Sequence, residues 1–118
     1  MGYVYVVQRQ FRYDRETGKI VPKHDLAAAE KFGELRPILT DRAGVDKPAQ
    51  AIAKMDLILR NYTDDDYLLL IGHPALIGWA AALAAAHNDG KLKQLIWSGA
   101  THTYSVVESR LPIQALVL

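Results

Sequence analysis

Four histidines, His24, His73, His87 and His102, are the first candidates for chemistry. Imidazole titrates near neutrality and can move a proton or hold a metal. No two of them sit at i, i+4, the spacing that sets a ligand pair on one helix face, so no metal site is expected. His73 lies in Gly72-His73-Pro74. A general acid or base is conceivable there, but a helix-start side chain bonded to backbone is the favoured expectation. His102 belongs to the hydroxyl-rich turn Ser98-Gly99-Ala100-Thr101-His102-Thr103. A phosphodiesterase built on paired His-x-Thr or His-x-Ser motifs needs a second copy, and His73-Pro74-Ala75 is not one. Gly-x-Ser-x-Gly is also absent, which leaves a solvated hairpin loop. Asp64-Asp65-Asp66 reads as a solvated turn, because consecutive carboxylates point apart and do not enclose a cation. No cofactor is implied.

Two further groups of residues suggest binding. In open parallel sheets, ligands sit beyond the carboxyl ends of the strands, where the winding direction switches. If residues 3–7 and 67–71 are neighbouring strands, that crevice is lined by Gln8, Arg9, Gly72 and His73, with Asp41 a further candidate. Gly72 admits close backbone approach, and a helix opening at Pro74 offers positive dipole to an anion. Against this, no Gly-x-Gly-x-x-Gly or P-loop pattern follows the strand, and Pro74 lacks one of the donors an anion would use. The second group is Arg9, Arg12, Arg15, Lys19 and Lys23, interleaved with Phe11 and Tyr13. Such a hairpin can stack on single-stranded nucleic acid, but more often it packs on a protein partner. The chain has 14 Lys and Arg against 13 Asp and Glu, a formal charge of +1, so nucleic acid is not the expected partner.

These residues need elements to position them. Residues 3–7 are β-branched and aromatic, the composition of a strand. Phe11 to Asp14 and Ile20-Val21 flank Asp14-Arg15-Glu16-Thr17-Gly18-Lys19, whose Asp and Gly suit a type I turn with a bulge, so a hairpin is expected. Asp25 is a candidate N-cap for a short helix over 26–32 that ends at Gly33. Residues 35–40 read as a strand, with Pro37 restricting it to a strand start or an unpaired edge. Pro48 opens a helix whose apolar face is Ile52, Met55, Leu59 and Tyr62, ending near Asn61. Residues 67–71 are apolar on both faces, as a covered central strand should be. A helix over 74–86 follows, ended by Asn88-Asp89-Gly90 with Gly90 or Asn88 left-handed. Strands over 92–97 and 103–107 come next, the second antiparallel to the first. The apolar tail 111–118 must dock somewhere.

This alternation predicts a single α/β domain over 1–118. Its sheet is mostly parallel and Rossmann-like, of about five strands, with an N-terminal hairpin extension and an antiparallel C-terminal edge strand. Residues 67–86 carry no Asp, Glu, Lys or Arg, long enough to raise the question of a membrane span. The Gly-His-Pro break answers it with a buried strand and a packed helix. The first seven residues do not read as a signal peptide, and a cytoplasmic protein is expected. With no Cys, disulfides and thiolate chemistry are excluded. The helix 74–86 shows no polar face, so a second copy is expected to cover it through Leu76, Trp79, Ala80 and Leu83.

Several strings carry a resemblance: Phe11-Arg12-Tyr13-Asp14 with Glu16-Thr17-Gly18, Val21-Pro22-Lys23-His24-Asp25-Leu26, Asp65-Asp66-Tyr67-Leu68-Leu69-Leu70, and Leu76-Ile77-Gly78-Trp79-Ala80. Together, over residues 3 to 98, the chain resembles a group of small proteins encoded by tailed bacteriophages. The resemblance implies an accessory protein working inside the bacterial host. It attaches no activity, so it carries over no catalytic or binding residue. The expectation is a non-enzymatic protein that binds a host or phage macromolecule, with a host protein as a possible partner. The alternative is a nucleotide- or anion-binding enzyme or sensor at the carboxyl edge of the sheet.

Overall fold

Hydrophobic pattern and breakers divide the described residues into ten elements. A computed structural model describes residues 2–39 and 46–112, so Asp41 and the tail beyond Pro112 lie outside the described residues. The strands are β1 (Tyr3–Gln8), β2 (Phe11–Asp14), β3 (Lys19–Pro22), β4 (Glu34–Leu39), β5 (Tyr67–Leu69), β6 (Lys91–Ser98) and β7 (Thr103–Arg110). A 3-10 helix, Ala27–Phe32, precedes β4; α1 (Pro48–Leu59) and α2 (Pro74–Ala86) flank β5.

The main sheet has the order β4-β1-β5-β6-β7, parallel except for β7, which runs antiparallel to β6. In chain order of its own strands this is 2-1-3-4-5, not the 3-2-1-4-5-6 of a dinucleotide-binding sheet. The switch in winding direction falls at β1, whose neighbours β4 and β5 lie on opposite sides. The 3-10 helix packs on β1, β4 and β7, while α1 and α2 pack on each other and on β4, β1 and β6.

Two cores result. On the α1/α2 face, Tyr5, Val7, Met55, Leu59, Leu68, Leu76 and Ala80 are buried together. On the other, Val4, Val6, Leu69, Leu95 and Tyr104 are buried under Ala29. Each fully buried aliphatic side chain stabilises the fold by roughly 1.5–3 kcal/mol. The 67–86 segment is the strand β5, a turn and a 13-residue helix. No helix among the described residues is long and apolar enough to cross a membrane.

Three details differ from expectation, each for a local reason. β5 stops two residues early because Ile71 N–H donates to the Leu69 carbonyl at 2.9 Å, closing a γ-type turn. The left-handed residues after α2 are Asp89 and Gly90, not Asn88. Asn88 instead uses its amide to donate to Asp64 Oδ1 and to the Lys91 carbonyl. Leu76 and Ala80 lie in the protein's own core, so they are not available to a second copy. Of the four residues expected at such an interface, Trp79 is exposed and Leu83 half-buried. Pro37, by contrast, sits on the edge strand β4, where its missing N–H is tolerated.

Candidate functional site

The switch point brings together Gln8, Gly72 and His73. Gly72 has φ +140°, and a Cβ there would lie 2.8 Å from Cβ of Gln8, so a side chain at 72 would strike β1. The Gln8 amide is buried and accepts the His73 N–H at 3.1 Å. His73 Nδ1 in turn accepts the Ala75 N–H at 3.2 Å, which makes His73 the N-cap of α2. Pro74 has no N–H, and those of Leu76 and Ile77 both donate to the His73 carbonyl. The first turn of α2 therefore has its donors occupied within the chain. The arrangement is a self-closed helix cap, and it lacks the free amides that hold an anion at a helix start. Arg9 stands apart from this cap, exposed, its guanidinium 5.2 Å from the centre of the Phe11 ring.

The open space lies on the neighbouring face of the sheet, under the 3-10 helix. One cavity of about 560 Å³ is lined by Val6, Arg9, Gln10, His24, Glu30 and Ile71, among others. A second of about 550 Å³ runs beside it over Leu69, Leu95, Trp97, His102 and Tyr104. His24, Asp25 and Ile71 line both, so the two form one crevice along the carboxyl ends of β1, β5 and β6. Its floor is aliphatic. Its far wall is an aromatic cluster: Trp97 meets Tyr104 edge-on at 5.0 Å between ring centres and His102 at 5.9 Å. Trp97 is 47% exposed, an indole presented to the crevice at little further cost of ordering.

Sequence dictates this shape locally. Asp25 Oδ1 accepts the Ala27 N–H at 2.9 Å and starts the 3-10 helix that roofs the crevice. His24 Nε2 lies 3.3 Å from Gln10 Oε1, and Lys23 N–H donates to the Gln10 carbonyl, which ties the roof to the base of the hairpin. Partial burial, aided by the neighbouring Lys23 charge, holds the His24 pKa below its ordinary value, so this imidazole is neutral at pH 7. Burial, and then the Asp25 carboxylate, push the Tyr104 phenol up, so it stays protonated.

The β2–β3 hairpin stands off as a sheet of its own. Its turn is closed by Gly18 (φ +70°) and by Asp14, which accepts from Glu16 N–H and Thr17 Oγ1. Its register sets Phe11 opposite Pro22 and Tyr13 opposite Ile20. Directly opposed residues share a face, so one side of the arm is apolar and the other carries Arg12, Val21, Asp14 and Lys19. Tyr13 and Ile20 are 61% and 68% exposed. Pro22, at the base of this apolar side, also lines the crevice.

Over residues 2–111 the sequence matches the family of Phage Pam3 gp32-like proteins. The chain belongs to that family. No curated protein and no solved structure matches it. As a Phage Pam3 gp32-like protein it carries the phage origin that the four strings imply, and the match spans the arm, the roof and the sheet alike. Within this family member, Gly72 and His73 meet Gln8 at one end of the sheet, whereas Arg9 stands apart from them and lines the crevice. Sequence reasoning missed Asp25, Ile71 and Trp97 as crevice residues. Asp25 signals only a cap, and Trp97 only a strand, until the roof is known to cross the sheet between them.

Proposed function

We propose that this Phage Pam3 gp32-like protein is a phage accessory protein that acts by binding a host or phage protein inside the bacterial cytoplasm. Its binding surface is the apolar face of the hairpin arm together with the crevice. The observation that carries this reading is continuity. Pro22 shares the apolar side of the arm with the exposed Tyr13 and Ile20 and also lines the crevice, whose far wall holds the indole of Trp97. A contiguous exposed apolar surface on a small domain marks an interaction site. The near-balanced charge of the chain does not favour nucleic acid. The nucleotide or anion reading at Arg9, Gly72 and His73 is weakened because the helix-start donors there are already used.

The test is capture from host and infected-host lysate. A protein retained by the native chain should be lost on the double substitution Tyr13→Ser, Ile20→Ser and on Trp97→Ala, all at exposed side chains, with circular dichroism unchanged. Equal retention by the variants would exclude this surface. A thermal-shift screen with inorganic phosphate and nucleoside phosphates should give no rise; a saturable rise that Arg9→Ala abolishes would restore the anion reading.

A further inference from the structure

The two edges of the main sheet are built differently. β4 has Pro37 in its middle and exposes Glu34, Arg36 and Pro37, features that keep an edge from pairing. β7 has no Pro, and its charges, Glu108 and Arg110, lie only near its C-terminal end. It runs for eight residues without Pro, Gly or Lys, in unbroken register with β6 from Ser98 opposite Thr103 to Lys91 opposite Arg110. Among the described residues nothing pairs with its outer side. Among the described residues, the elements that pack on it to any extent are β6 and the 3-10 helix. Val106 and Val107, which point to opposite faces of the sheet, are 38% and 40% exposed. An unpaired edge of this length, with exposed Val106 and Val107 in its middle, is a template for another strand.

We infer that β7 is the dimerisation edge of this chain, pairing antiparallel with β7 of a second copy into a continuous ten-stranded sheet. The sequence of the strand is self-complementary, best in one long register: centring on Ser109 opposes Glu108 to Arg110 but overlaps the strands by only three residues, and centring on Val106 leaves Arg110 unopposed. Across an antiparallel pair, directly opposed side chains share a face. A two-fold axis normal to the sheet therefore allows only registers centred on a residue. Centring on Glu108 or Arg110 sets like charges against each other. Centring on Val107 sets Val107 against Val107 of the second copy, Val106 against Glu108, Ser105 against Ser109, and Tyr104 against Arg110. No like charges meet, and the Arg110 guanidinium faces an aromatic ring. The interface is isologous and closed. Both crevices then open on the same face of the joined sheet. This inference is independent of what the crevice binds, and it places a second copy on the sheet edge and not on α2.

The chain contains no Cys, so a single introduced thiol reports without interference. At the axis the paired Cα atoms would lie about 4.5–5.5 Å apart, within disulfide range. Val107→Cys should therefore form a disulfide-linked dimer under mild oxidation. Val106→Cys and Trp79→Cys should lag well behind. Sedimentation equilibrium of the unsubstituted chain should give a mass that rises roughly twofold with concentration, and Val107→Lys, which sets two charges together, should abolish the rise. A native chain that stays monomeric to about millimolar concentration would overturn the inference. So would cross-linking through position 79 or 106 ahead of 107.

Discussion

Tyr62 and Asp66 hold the start of the sheet through groups that no strand partner could serve. The Tyr62 hydroxyl accepts the Lys93 N–H at 3.0 Å and has the Asp66 and Lys93 carbonyls within 3.2 and 3.3 Å. It stands in for a strand partner where the β5–β6 ladder has not yet begun. Asp66 is buried; its Oδ1 accepts the Tyr3 N–H at 2.7 Å and its Oδ2 the Thr63 N–H at 2.8 Å. Tyr62→Phe would leave a half-buried N–H unpaired, and we expect a loss of about 1–3 kcal/mol in denaturant unfolding. Asp66→Ala removes charge-assisted bonds and should cost at least as much. Burial raises the Tyr62 phenol to about 12, above its ordinary 10.0, so its contribution is present below pH 10 and is lost as pH climbs through 12. Tyr5 is the contrast: among the described residues its buried hydroxyl has no hydrogen bond of good geometry, only the Arg36 guanidinium nearby. Tyr5→Phe should be neutral or stabilising in the same unfolding assay, since it removes a desolvated polar group. Little of this was legible in the sequence. Asp64-Asp65-Asp66 reads as a solvated turn, and that holds for Asp64 and Asp65, which are exposed. Burial of Asp66 depends on Gly2, where a Cβ would fall 2.6 Å from Asp66 Oδ1, a contact between residues far apart in the chain.

Between elements, the exposed face of the α1–α2 packing is fastened by Asp56. His87 Nε2 approaches its Oδ1 at 2.6 Å and Arg60 Nη2 its Oδ2 at 3.1 Å. The hydrogen bond from His87, and then that from Arg60, hold the Asp56 carboxyl below its ordinary range. A depressed carboxyl stabilises the fold above its unfolded pKa of about 3.9 and ceases to do so as pH falls through the lower, folded value. Asp56→Asn should therefore lower Tm near pH 6, and its gap to the native chain should close on acidification below about pH 4. A gap that widens in acid would show that the tether is misassigned. At this scale the sequence was most informative, because breakers act locally. Pro48, Pro74, Gly18, Gly33 and Gly90 bound the elements they were expected to bound. What local signals could not give was the γ-type turn at Leu70, which depends on Gln8 taking the Ile71 carbonyl. The inward face of α2 was also hidden, because a run of Ala and Leu has no polar side to mark its orientation.

For the whole molecule, the sheet order follows from right-handed crossovers and the alternation of strands with helices, so the α/β class was legible. The crevice was not. It exists because residues 23–33 cross one face of the sheet diagonally, from the hairpin base towards β7 and back to β4, and no local pattern encodes that path. The account's central claim is that the surface from the arm's apolar face to Trp97 is where this protein meets its partner. A photo-cross-linking amino acid at position 97, with the protein expressed in infected host cells, tests it most directly. Position 57 on α1 is the control, because Leu57 is more exposed than Trp97 and lies outside this surface. A discrete adduct at 97 that is absent at 57 is the predicted result; no adduct at 97, or the same adduct at both, would contradict it.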